Sequence, residues 1–157
     1  MPGMGNLRLS WVEGLCLLLA TLATPAALHA RKELTLEELK ARIANASTSE
    51  RPSLCLQVAE RQLDAADRFY AAGDEEKAQA SLEDVVAFSE MTRDAAIQSH
   101  KHEKQSEIAL RKMTRKLNDL KRAVTLEDQK TIQESINHLQ RIRDDLLAAM
   151  FPKGDQK

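Results

Sequence analysis

From Asp74 to Thr125 the chain runs without a single Gly or Pro. Pro removes a backbone donor and Gly carries the largest backbone entropy cost, so their absence over so long a stretch removes the usual ways of ending a helix. Few folds accept such a segment. Ser106, Leu110, Met113, Leu117, Leu120 and Val124 recur within it at alternating spacings of four and three, the signature of a coiled-coil seam. Residues 98–105, Gln-Ser-His-Lys-His-Glu-Lys-Gln, interrupt the apolar pattern without supplying a breaker. With no Gly or Pro to bend at, one long central helix over about 74–124 is expected. The alternative is a kink within 98–105 and a compact four-helix bundle.

The flanking segments read as further helices. Thr35-Leu36-Glu37-Glu38 is a capping box that starts a short helix from Leu36 to about Asn45. Residues 47–52 read as a linker, so 31–52 form a short helix plus linker ahead of a helical domain over 53–151. A helix from Ser53 to Ala72 carries Cys55, Ala59, Leu63, Ala66 and Phe69/Tyr70 on one stripe. Gly73 can take the left-handed conformation that ends it, and Asp74 can cap its successor. That successor continues the stripe through Ala78, Leu82, Val85/Val86 and Ser89. So short a turn implies an antiparallel hairpin. Thr125-Leu126-Glu127-Asp128 is a second cap. It opens a last helix to about Ala149, with Ile132, Ile136, Leu139, Ile142, Leu146 and Met150 facing inward. Pro152 and a polar tail, 152–157, stop it. No run of β-branched residues alternates with period two. The expected fold is all-α, two antiparallel hairpins sharing the long helix.

The first 30 residues read as a secretory signal. Residues 14–23 are apolar for about ten positions, Pro25 follows, and Ala26-Ala27-Leu28-His29-Ala30 gives a small-residue exit. A spanning helix needs roughly 20 apolar residues, so cleavage is expected, with an uncleaved anchor as the alternative. No transmembrane segment is then expected in the mature chain, and its location is periplasmic or extracellular. Cleavage removes Cys16 and leaves Cys55 without an internal partner. Cys55 reads as a small buried hydrophobe, or, more sharply, as one half of an intermolecular disulfide.

Two resemblances follow from these residues. Ala66, Phe69, Gly73-Asp74, Ala78 and Leu82 resemble the inter-helix part of one tetratricopeptide-type repeat, which implies close helix packing at small residues. No second copy follows at the 34-residue period, so the likeness is read as shared hairpin chemistry. The mature region also resembles a group of small exported bacterial helical proteins of unknown function. Leu54-Cys-Leu-Gln-Val-Ala59, Tyr70-Ala-Ala-Gly-Asp74, Lys101-His-Glu-Lys-Gln105, Ile108-Ala-Leu-Arg-Lys-Met113 and Asp144-Asp-Leu-Leu-Ala-Ala-Met-Phe-Pro152 carry that likeness. It implies the bacterial envelope and no activity.

A formal charge of −1 hides an asymmetry. Glu60–Asp94 holds ten acids against four bases, whereas His100–Val124 holds eight bases against three acids. Arg111, Lys112, Arg115, Lys116, Lys121 and Arg122 make the basic surface. Such charges can be an ordinary solvated face, a means of self-association, or an attraction to anionic lipid, glycan or peptide. Nucleic acid is not expected, because no aromatics are interleaved with these bases for stacking.

No catalytic motif occurs: no His-Glu-x-x-His, no phosphate-cradling glycine loop and no nucleophile elbow. His100 with Glu103 or Glu107, and Glu134 with His138, could offer two metal ligands each, fewer than a structural site takes. No enzyme, cofactor or metal site is expected. The leading expectation is a protein–protein interaction or self-association module, itself or an envelope protein being the partner. Its interface would be the seam Leu110, Met113, Leu117, Leu120 and Val124. The alternative is a stress- or metal-responsive sensor or chaperone using the polar patch His100–Glu107.

Overall fold

The computed structural model describes residues 34–152, all of them within one compact unit, 33–157. Residues 1–30, read above as a secretory signal, lie outside the described residues. The fold is all-α: α1 (Leu36–Asn45), α2 (Arg51–Ala71), α3 (Glu75–Ser99), α4 (Glu103–Ala123) and α5 (Leu126–Met150), with no strand among the described residues. None of these helices is long and apolar enough to cross a membrane.

The helix starts follow from local chemistry. Thr35 accepts from the Glu38 amide at 3.2 Å while Glu38 Oε2 accepts from the Thr35 amide at 2.7 Å, a complete capping box. At α5, Thr125 accepts from the Asp128 amide at 3.4 Å and donates its hydroxyl proton to Asp128 Oδ2 at 2.6 Å. Asp128 is itself buried, so this hydroxyl both caps the helix and satisfies a shielded carboxylate. Thr125→Ala is therefore expected to lower stability by about 1–2 kcal/mol. A urea midpoint unchanged from the parent would refute this. Between α2 and α3, Gly73 sits at φ 74°, and the Asp74 amide reaches back to the Phe69 carbonyl at 2.9 Å. This closes α2 in a Schellman manner, after which Asp74 Oδ1 caps α3 at the Lys77 amide.

Three short connections bring α2 to α5 together in up-and-down order. α2 packs on α3 and α4, and α5 packs on α3 and α4. The shared core joins Leu56, Ala59, Leu63 and Ala66 to Leu82, Val85 and Ala96, to Leu110, Met113, Leu117 and Leu120, and to Ile132, Ile136, Leu139, Ile142 and Leu146. Met150, expected inward, is half-buried. A second, smaller cluster seats α1 on α2 through Leu39, Ile43, Cys55 and Val58. Phe88 packs against both clusters, and Lys40 spans from α1 to Asp84 of α3 at 3.0 Å.

The single long helix expected over 74–124 is instead two helices, with a break at residues 100–102. His100 (φ 52°) ends α3 and His102 (φ 63°) precedes α4, both in the left-handed region. Histidine enters that region more readily than most residues, so the bend needs neither Gly nor Pro. Its energetic reason is tertiary. Left-handed residues cost roughly 1–2 kcal/mol each, whereas each large apolar side chain fully buried contributes about 1.5–3 kcal/mol. Folding α4 and α5 back onto α2 and α3 buries Leu110, Met113, Leu117 and Leu120 together. The burial wins.

Candidate interaction surfaces

The seam and the basic surface lie on opposite sides of α4. Leu110 and Leu117 are 0% exposed, Met113 and Leu120 nearly so, and Val124 is partly buried against the same core. The seam expected as an open interface is thus covered within the chain, by α2, α3 and α5. A rod two helices thick would have left it open, and the bend at 100–102 closes it.

The basic residues face outward and divide by whether they find acids. Lys116 pairs with Asp64 of α2, and Arg122 with Asp119 at 2.6 Å. Arg111 approaches Glu107 at 3.8 Å, and half-buried Lys121 donates to Gln133 Oε1 at 2.7 Å. Lys112 and Arg115, three residues apart on one exposed face, have no acid partner among the described residues. The acidic stretch likewise leaves Glu60, Asp67 and Glu83 exposed without a base. Surface pairs of the Lys116–Asp64 kind contribute little to stability, so these faces define an electrostatic pattern more than a source of fold energy.

One charged group is not at the surface. Glu107 is only 8% exposed, and its Oε1 accepts from Arg143 Nε of α5 at 2.8 Å. It therefore serves the α4–α5 packing instead of joining His100 at a metal site. His100 itself is 85% exposed in its side chain, with Nδ1 at 3.5 Å from Glu103 Oε1. Among the described residues no group of three or more His, Cys, Asp or Glu is arranged to hold a metal ion.

Sequence reasoning missed a groove of about 390 Å³ between the α2–α3 and α4–α5 turns, lined by Asp67, Tyr70, Glu75, Leu120, Val124 and Asp128 among others. Burial, reinforced by the charges of Asp128 and Glu75, pushes the Tyr70 phenol up to about 12. The Tyr70 hydroxyl is shielded and has no partner among the described residues. Nothing in the local spacing of Tyr70 signals this, because its neighbours come from a turn 50 residues away. Leu126 and Phe151, at either end of α5, are exposed apolar side chains.

Cys55 is fully buried between α1 and α2, the environment of a small hydrophobe. Desolvation pushes its thiol up to about 11 from an ordinary 9.0, with Arg51 acting weakly in the opposite sense. The folded state thus favours the neutral thiol. The associated stability is fully present below pH 9 and is lost as pH rises through about 11. Two results are expected. A thiol reagent at pH 8 should label Cys55 only after urea is added, and the loss of stability from pH 9 to 11 should be shallower in Cys55→Ala. Rapid labelling of the native chain would contradict this placement. Asn45, the last residue of α1, is exposed, and its side-chain amide donates to the Ala41 carbonyl at 3.3 Å.

Comparisons with known protein families, with curated proteins and with solved structures find no match for this chain.

Proposed function

We propose that this chain is a non-enzymatic helical protein of the bacterial envelope, exported there by its first 30 residues, that acts by binding protein, its own copies included. The observation that carries the reading is the separation of unpartnered charge: Lys112 and Arg115 on α4 against Glu60, Asp67 and Glu83 on α2 and α3. Exposed charges of opposite sign left unpaired within one compact unit favour contact between copies. They also steer an oppositely charged partner, and both effects weaken as salt shortens the screening length to about 10 Å or less. The basic face would accept an anionic lipid or glycan by the same attraction.

Light scattering during size-exclusion chromatography of residues 31–157, at low and high salt, tests the reading. A dimer or larger species that dissociates at high salt supports it, and Lys112→Glu with Arg115→Glu should then abolish the association. A monomer at both salt concentrations removes self-association as the working function.

A further inference from the structure

The three-residue connection between α3 and α4 combines features that conflict with one another. His100 and His102 are both left-handed, and no Gly relieves either. The first turn of α4 has no side-chain cap. Ser106, at the fourth position of α4, is fully buried, and its hydroxyl has no partner. Other hydroxyls in these helices donate to the carbonyl four residues back: Ser89 to Val85, Thr92 to Phe88, Thr114 to Leu110 and Ser135 to Thr131. Ser106 departs from this pattern, although the His102 carbonyl four residues back already accepts the Ser106 amide at 2.8 Å.

The two left-handed residues and the uncapped first turn vanish if residues 99–103 become helical. Their composition favours it, since no residue there is Gly or Pro. In a lone chain straightening is opposed, because it would strip α4 and α5 from α2 and α3 and expose the seam. A second copy removes that opposition. Its own α4–α5 hairpin can occupy the vacated place and restore each contact of the core between two chains.

We propose that His100-Lys101-His102 is a hinge through which two copies exchange their α4–α5 hairpins, with α3 and α4 of each copy fused into one continuous helix. In the exchanged pair the seam Leu110, Met113, Leu117 and Leu120 is buried against the other chain's α2 and α3, so it becomes the interface between copies. This deepens the self-association reading above, yet it differs from charge-driven contact in being insensitive to salt. It is also slow to reverse, since exchange requires the bundle to open.

The test refolds residues 31–157, which contain the whole compact unit, from urea over a range of concentrations. The dimer dissociation constant is then read by light scattering for the parent, for His100→Gly/His102→Gly and for His100→Ala/His102→Ala. Glycine relieves the left-handed residues and penalises the straight helix, at four positions per dimer. It should weaken the dimer by about a thousandfold or more. Alanine, the best helix former, should tighten it by roughly thirtyfold. A second readout places cysteines at Asp64 and Lys116, which touch across α2 and α4, and joins them with a short bismaleimide. Exchange gives a covalent dimer, whereas any association that leaves the hinge bent gives a monomer linked to itself. Constants equal within threefold across the three chains, or self-linked monomers from the dimer fraction, overturn the proposal. A salt-sensitive dimer with self-linked chains would leave the charge-driven reading standing. A salt-insensitive, cross-linked dimer would do the reverse.

Discussion

Leu117→Ala is expected to lower the unfolding free energy of this protein by about 3 kcal/mol, within the range of 2–5 kcal/mol for large-to-small changes in a packed core. Leu117 is 0% exposed, and the cluster around it draws side chains from α2, α3, α4 and α5 at once. No single neighbour can collapse into the space left behind, because each is held on a different helix. A lower urea midpoint with an unchanged slope would carry this result. Leu117→Asp goes further. It places an unpaired carboxylate in the centre of the core, and the chain should fail to fold, with loss of helical circular dichroism at neutral pH. Were Leu117 instead a contact residue on an open face, Leu117→Ala would cost well under 1 kcal/mol and Leu117→Asp would leave the fold intact. The pair of substitutions therefore separates a core seam from a free one without any partner being known.

The second large effect lies at Glu107. Arg143→Leu removes the guanidinium 2.8 Å from Glu107 Oε1 and leaves the carboxylate shielded, with only Arg111 at 3.8 Å. Since Arg143 is about a third exposed in its side chain, water tempers the loss, and about 2 kcal/mol is expected rather than the 3–5 kcal/mol of a deeply buried pair. The double change Glu107→Leu/Arg143→Leu should recover most of that stability, because it removes the stranded charge together with its partner. Denaturant titrations of the parent, both single variants and the double variant close the cycle. A double variant as unstable as the sum of the singles would mean that the two residues act independently, contrary to the hydrogen bond between them.

The local parts of the fold were legible in the residues. Thr35 with Glu38, Thr125 with Asp128, and Gly73-Asp74 each satisfy free backbone groups within a few positions, so their roles are written in adjacent letters. The inward faces were legible too. Cys55, Ala59, Leu63 and Ala66, and likewise Ile132, Ile136, Leu139, Ile142 and Leu146, are buried as their spacing requires. The bend at His100 and His102 was not legible, because the intrinsic cost there is small and is decided by burial of side chains up to 20 residues away. The covering of the seam within the chain was not legible for a related reason. Periodicity shows which side of α4 is apolar, but only the course of the chain shows what covers it. The packing role of Glu107 escaped the sequence reading, since its partner Arg143 lies 36 residues on. The Tyr70 groove did so as well, being built from two turns that meet only after the bundle forms.

The inner face of α3 is made of Ala78, Ser81, Ser89, Thr92, Ala95 and Ala96, with Leu82 and Val85 as its only large buried members. At these positions the limit on an incoming residue is its volume and not its polarity. Ser89 and Thr92 are tolerated because each returns its hydroxyl to its own helix, at 2.7 and 2.8 Å, and so presents to the neighbouring helices little more than its carbon atoms. Genetic drift along this face should therefore exchange Ala, Ser and Thr freely while rejecting Leu and Phe. A mutational survey scored by hydrophobicity would misjudge these sites, and one scored by side-chain size would find the α2–α3 contact directly.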